Sequence, residues 1–178
     1  MLYQAIKVSL VAAGLLMLPS MPAVAQSLAP PPQIPYGLSI DLDTAKKAAH
    51  GASAEAKKNK WNMAIAVVDT AGNLVYFEKM EGTQTGSVAL AIEKASTSAL
   101  FRRPTKLFQD SVAAGGEGLR ILRLTGVIPI DGGFPIIVEG KLIGAIGISG
   151  GSGSQDGEVA QAGAVAASSP AGASASPQ

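Results

Sequence analysis

The chain has 178 residues, no cysteine and one histidine, with 14 basic against 13 acidic side chains. Those counts exclude disulfides, thiolate metal sites, a cysteine nucleophile and any site built from several histidines. With no charged block, they also give nucleic acid no electrostatic footprint to bind. Residues 1–25 carry one cation, Lys7, then an apolar stretch from Val8 to Leu18, and end Ala23-Val24-Ala25. This is the three-part form of a secretory signal peptide cleaved before Gln26. The apolar stretch is shorter than the ~20 residues that a membrane-crossing helix needs. The expectation is therefore a periplasmic or secreted protein without stable membrane insertion. Removing 25 of the 178 residues leaves 153, a length for one domain, with thirteen basic and thirteen acidic side chains and no net charge.

Residues 26–37, QSLAPPPQIPYG, predict an extended, solvated, proline-rich linker. Residues 168–178, SSPAGASASPQ, hold nothing a core could bury and predict a disordered tail, which leaves a folded body at 38–167. Ser39 or Asp41 can cap a helix that runs to about Lys60. At 100° per residue its Leu42, Ala45, Ala49, Ala52 and Ala56 share one side, while His50 falls on the outer flank. Gly51 is its weak point, since an interior glycine costs ~1 kcal/mol relative to alanine. Next, MAIAVVD and LVYFEKM flank Thr70-Ala71-Gly72-Asn73, which describes a β-hairpin. A second helix spans Ser87 to Phe101 and stops at Arg103-Pro104-Thr105. The stretch to Leu124 is ambiguous, with a helical turn over Leu107 to Val112 and a loop at Ala114-Gly115-Gly116. Phe134 to Glu139 and Lys141 to Ser149 form a second hairpin, and a small-residue helix ends near Ala167. Because hairpins join neighbouring strands antiparallel, this order predicts an α+β layer sandwich, a mostly antiparallel sheet with helices packed on it.

The second helix carries two apolar stripes. Val88, Ala91, Ile92, Ala95 and Ala99 are assigned to the sheet, and Leu90, Thr97 and Phe101 lie roughly opposite, with Lys94 beside them. The second stripe must be covered by a neighbouring helix, a second subunit or a ligand, for which Lys94, Thr97 and Arg103 would be the polar contacts. His50, the one imidazole, is either a solvated side chain or an axial ligand to heme iron. The glycine-rich run from Gly144 to Gly151 either cradles an anion or serves tight turning and close helix–sheet contact. Asp69, Asp131 and Asp156 sit at three separate junctions and read as turn and cap residues rather than as an acid–base pair.

The run AIAVVDTAGNLVYFEKMEG, the helix IEKASTSALF followed by RPT, the GGFPI segment and GKLIGAIGISGG leading to QD together resemble the GlcG/HbpS-like family. That family also supplies the C-terminal domain of PduO-type adenosyltransferases. The resemblance implies a profilin-like sandwich with helices on both faces of the sheet and assembly into homo-oligomers. It implies heme as cofactor, with heme degradation and iron capture in the secreted branch and corrinoid chemistry in the adenosyltransferase-linked branch. Lys94 and Thr97 fall in its K-A-x-T stretch, and Arg103, Pro104 and Thr105 in its x-P-T turn. Gly132, Gly133 and Pro135 fall in its G-G-x-P turn, and Ser149, Gly150, Gly151 and Asp156 on its final S-G-G…Q-D pattern. By the same resemblance Thr97 stands nearest the iron, while Lys94, Arg103 and Phe101, from the second stripe, and His50, as the one imidazole, are the further candidate heme contacts read from the residues themselves. Where many relatives carry a histidine-containing segment this chain reads LRILRLTGVIPI, which throws iron ligation onto His50 or a hydroxyl. The expected function is an exported heme or tetrapyrrole carrier that assists heme degradation or iron capture. The alternative is a non-heme small-molecule sensor or corrinoid-binding oligomeric module. Adenosyl transfer is not implied, because nothing resembling that catalytic domain precedes the body.

Overall fold

The computed structural model describes residues 33–169. The expected signal peptide, the first part of the proline-rich segment and the tail from residue 170 lie outside the described residues. The body opens with helix α1 (Leu42–Lys58), whose cap Asp41 accepts a hydrogen bond from Thr44 N at 2.7 Å. Strands β1 (Ala64–Val68) and β2 (Leu74–Lys79) form the first hairpin, and helix α2 spans Ser87–Phe101. The ambiguous stretch resolves into a short helix α3 (Lys106–Ala113) and a 3₁₀ helix over Gly116–Arg123. Strands β3 (Gly133–Val138) and β4 (Lys141–Ser149) form the second hairpin. Helix α4 (Gly153–Ser168) starts from a capping box in which Ser152 and Gln155 satisfy each other's backbone N–H groups.

The two hairpins join through β1 and β4 into one antiparallel sheet of order β2-β1-β4-β3. The expected α+β sandwich is the result, with α1 and α4 on one face and α2 on the other. Side chains alternate along a strand, so each face has its own character. Toward α1 and α4 point Ile65, Val67, Ile136, Ile146 and Ile148, each contributing ~1.5–3 kcal/mol by leaving water. Toward α2 point Ala64, Ala66, Val68 and Ala145. The small residues let α2 lie close, and Gly147 closest of all: a Cβ there would stand 2.0 Å from Ala91 O. Close helix–sheet contact is what Gly147 serves, while Gly144 lies against β1, where a Cβ would stand 2.4 Å from Val68 O.

Two expectations change. The end of the expected solvated linker is tied to the sheet: Gly37 N donates to Leu142 O at 2.8 Å and Leu142 N donates to Pro35 O at 2.9 Å. The cause is that β4 outruns β1, pairing with it only over residues 145–149, so residues 35–40 supply partners to its open start. Leu42, assigned to the buried stripe of α1, is instead exposed at the first turn, and Ala48 and Ser53 complete the buried face.

Candidate functional site

Four sequence motifs meet in one buried polar node. Lys94, on α2, is 1 % exposed, and its Nζ donates to Asp156 Oδ2 at 2.7 Å and to Ile148 O at 3.0 Å. Asp156, in the first turn of α4, accepts from Gly151 N at 2.9 Å with its other oxygen. Gly132, at φ 121, seals the node, since a Cβ there would lie 2.8 Å from Lys94 Nζ. Next to it Gly133 N donates to Thr105 Oγ1 at 2.8 Å, and Thr105 N donates back to Gly133 O at 3.0 Å. Two expectations are corrected here. Lys94 is not an open contact for a ligand, and Asp156 does more than turn or cap duty, because each ion neutralises the other where water cannot.

Thr97 is also covered from within the chain. It is fully buried, its Oγ1 accepting from Ile128 N at 3.1 Å and donating to Gly126 O at 3.4 Å. The cover over Thr97 is thus residues 126–128, with Val127 itself buried, whereas Phe101 on the same stripe is met by helix α3.

One turn further along α2 the surface opens. The half-buried Phe101 meets Phe108 of α3 edge-on, ring centroids 5.3 Å apart. The exposed Arg103 lays its guanidinium 5.6 Å from the Phe108 centroid and donates from Nε to Phe101 O at 3.1 Å. The 3₁₀ helix packs tightly on α3, a Cβ on Gly118 falling 1.8 Å from Ser111 O, yet it buries none of its own residues. Leu107, Leu119, Leu122 and Leu124 remain 48–59 % exposed along this edge, with Arg120 and Arg123 among them. Arginines beside uncovered leucines suit a ligand with a flat apolar body and acidic groups.

His50 stands elsewhere. It is exposed on α1, at an open groove of about 340 Å³ shared with Ser53, Ala54, Lys57 and Glu78, where Ser53 Oγ donates to Glu78 Oε1 at 3.1 Å. Since α1 and α2 cover opposite faces of the sheet, His50 and Thr97 cannot approach one iron within a protomer. The structure therefore brings Thr97, Phe101 and Arg103 into one neighbourhood, buries Lys94 beneath it, and sets His50 apart. Among the described residues no group of three His, Asp or Glu side chains could hold a metal ion.

The remaining acids behave locally. Burial works against the ionised form of Asp69, but hydrogen bonds from Asn73, Ala71 and Gly72 outweigh it and hold the carboxyl below its ordinary value, as a turn residue requires. Burial pushes the Asp131 carboxyl up, against the Gly132 N–H that donates to it at 2.7 Å. Sequence reasoning passed over the leucine edge because residues 107–124 gave no clear period, yet LRILRL displays the apolar–cationic pattern openly.

Residues 40–165 match the family described as "Haem degrading protein HbpS-like". Protein GlcG of Escherichia coli K12 is 39 % identical over 95 residues, covering 53 % of this chain and 69 % of GlcG. A double mutant of HbpS from Streptomyces reticuli superposes with a TM-score of 0.67 at 29 % identity, covering 72 % of this chain and 87 % of that one. The PduOC:heme complex superposes with a TM-score of 0.65 at 27 % identity, covering 72 % and 95 %.

Proposed function

This chain belongs to the HbpS-like family, and from that premise we propose that it is an exported protein that binds heme or a closely related tetrapyrrole. The observation that carries the proposal is the uncovered leucine edge of α3 and the 3₁₀ helix, beside the Phe101–Phe108 pair and flanked by Arg103, Arg120 and Arg123. A porphyrin has a flat apolar body and two carboxylates, and this edge offers the matching surfaces. A family described as heme-degrading and a structural neighbour described in complex with heme lend the ligand class.

The residues present fit the group in part. Phe101, Leu119 and Leu122 would cover the ring, backed by the buried Phe108, and the arginines would meet the propionates. Lys94 would contribute only by holding α2 to α4. Thr97 becomes an iron ligand only if residues 126–128 withdraw, because its hydroxyl is engaged on both sides as they lie. Heme supplies the redox-active iron, and the protein supplies cover, charge and orientation. Peroxide-driven heme breakdown with iron release is the finer form of this proposal. It is read by comparing rate and product regiochemistry with protein-free hemin. A second copy of the chain over the leucine edge would complete the cover, making the working form a homo-oligomer.

Titration of the heme-free protein with hemin tests the proposal. A saturable Soret shift is expected, weakened tenfold or more in a Phe101→Ala, Arg103→Ala double variant, a loss of about 1.4 kcal/mol. Absorbance that follows free hemin at every ratio would overturn it. Export is tested by finding a mature chain that begins at Gln26 outside the cytoplasm, and the opposite result is a full-length chain retained inside.

A further inference from the structure

At the C-terminal end of α1, Asn59 caps the helix and Lys60 follows with φ 59. Lys60 N donates to Lys57 O at 3.1 Å and Trp61 N to Ala56 O at 2.9 Å, the paired bonds of a left-handed helix stop. Glycine takes this conformation at no steric cost, whereas a lysine sets its Cβ against its own backbone. The strained residue stands at the rim of an open groove of about 350 Å³, whose side chains are Lys60, Trp61, Asn62, Gln84 and Gln155. Among the described residues no carboxylate lines this groove.

We propose that the groove is a binding site for a small polyhydroxylated anion, a sugar acid or sugar phosphate. The half-buried Trp61 offers a flat face to the apolar side of a sugar ring. Around it Asn62 and Gln84 offer amide donors and acceptors to hydroxyls. Gln155 Oε1 already accepts from Ser152 N at 2.8 Å, which fixes the amide and leaves its N–H donors for a ligand. Lys60 adds the single positive charge, held at a fixed point by the turn that strains it, which gives the strain a purpose. The volume suits a monosaccharide.

Trp61 is the one tryptophan of the chain, so its emission reports on this groove directly. The heme-free full chain is titrated with D-glucuronate, D-glucose 6-phosphate, D-glucose and acetate. At least one of the two sugar anions is expected to change the emission saturably, with glucose at least tenfold weaker and acetate without effect. Lys60→Gly is expected to abolish that response while raising Tm by a few degrees, since glycine relieves the turn. A Lys60→Gly variant that still responds, or four ligands that behave alike, would overturn the proposal. Trp61 belongs to the α1–α4 layer, across the sheet from Phe101, so hemin titration of Lys60→Gly stays as in the unaltered chain and the two readings fail separately.

Discussion

Lys94→Met keeps the bulk of the side chain and deletes its charge. Asp156 would then hold a buried carboxylate with one remaining donor, Gly151 N, and Ile148 O would lose the bond it accepts at 3.0 Å. Stripping a buried ion of its partner costs about 3–5 kcal/mol, and the lost neutral acceptor adds about 1 kcal/mol. Against a total of about 5–15 kcal/mol, that is a large share of what holds the domain folded. In urea, with a slope near 2 kcal/mol per molar, the midpoint should fall by about 2–3 M. Lys94→Met combined with Asp156→Asn removes the stranded charge while Gly151 N keeps an acceptor, and should recover more than half of that loss. Equilibrium denaturation followed by far-UV circular dichroism reads both. A single variant whose midpoint moves by less than about 0.3 M, or a double variant no better than the single, would refute the assignment of Lys94 as the structural tie between α2 and α4. The stable double variant should also titrate hemin as the unaltered chain does. Loss of hemin binding there would return Lys94 to the ligand.

Three further predictions follow from the same geometry. Gly51→Ala, favourable by helix propensity, should lower stability by about 1–3 kcal/mol, because its Cβ would lie 2.4 Å from Ala166 Cβ where α1 crosses α4. Thermal unfolding checks this, with recovery expected on adding Ala166→Gly. Burial holds the Asp131 carboxyl above its ordinary value of 3.8. The folded state therefore binds that proton more tightly than the unfolded chain, and ionisation costs stability as pH rises through the unfolded and then the folded value. Asp131→Asn should thus gain on the unaltered chain at pH 7 and lose that advantage below about pH 3, with denaturation at both pH values as the measure. His50→Ala should leave hemin affinity within about twofold, or ~0.4 kcal/mol, and a vanished Soret shift in that variant would place the iron on α1 instead.

Much of the fold was legible because period and punctuation agreed. The β-rich apolar runs on either side of Thr70-Ala71-Gly72-Asn73 and of Glu139-Gly140 left little choice but two hairpins, and of the two caps the sequence offered, Ser39 and Asp41, it is Asp41 that caps α1. Strand order was not legible, since β1 meets β4 through contacts some eighty residues apart that no local pattern records. The site divided in the same way. Phe101 and Arg103, named from the second stripe and the helix stop, do lie together at the open edge, Arg103 Nε donating to Phe101 O at 3.1 Å. Lys94 and Thr97 misled, since a helical wheel sets them on or beside a stripe awaiting cover and cannot see Asp156 or Ile128 arriving from sixty-two and thirty-one residues away. The clue was in their neighbours: Ala91, Ala95 and Ser98 leave room around Lys94 for a long side chain to lie buried. Gly51 carried the opposite lesson, a residue poor for its helix and required by the helix that packs on it.

The most direct test of where a tetrapyrrole sits uses its own iron. When substoichiometric hemin is added to the isotopically labelled, heme-free protein, paramagnetic broadening should strike the amide signals of Phe101, Phe108 and the 3₁₀ helix first. Signals from α1 and from the C-terminal half of α4, beyond the sheet, should stay sharp. Broadening centred on His50 and its α1 neighbours, or none at any hemin ratio, would contradict the account.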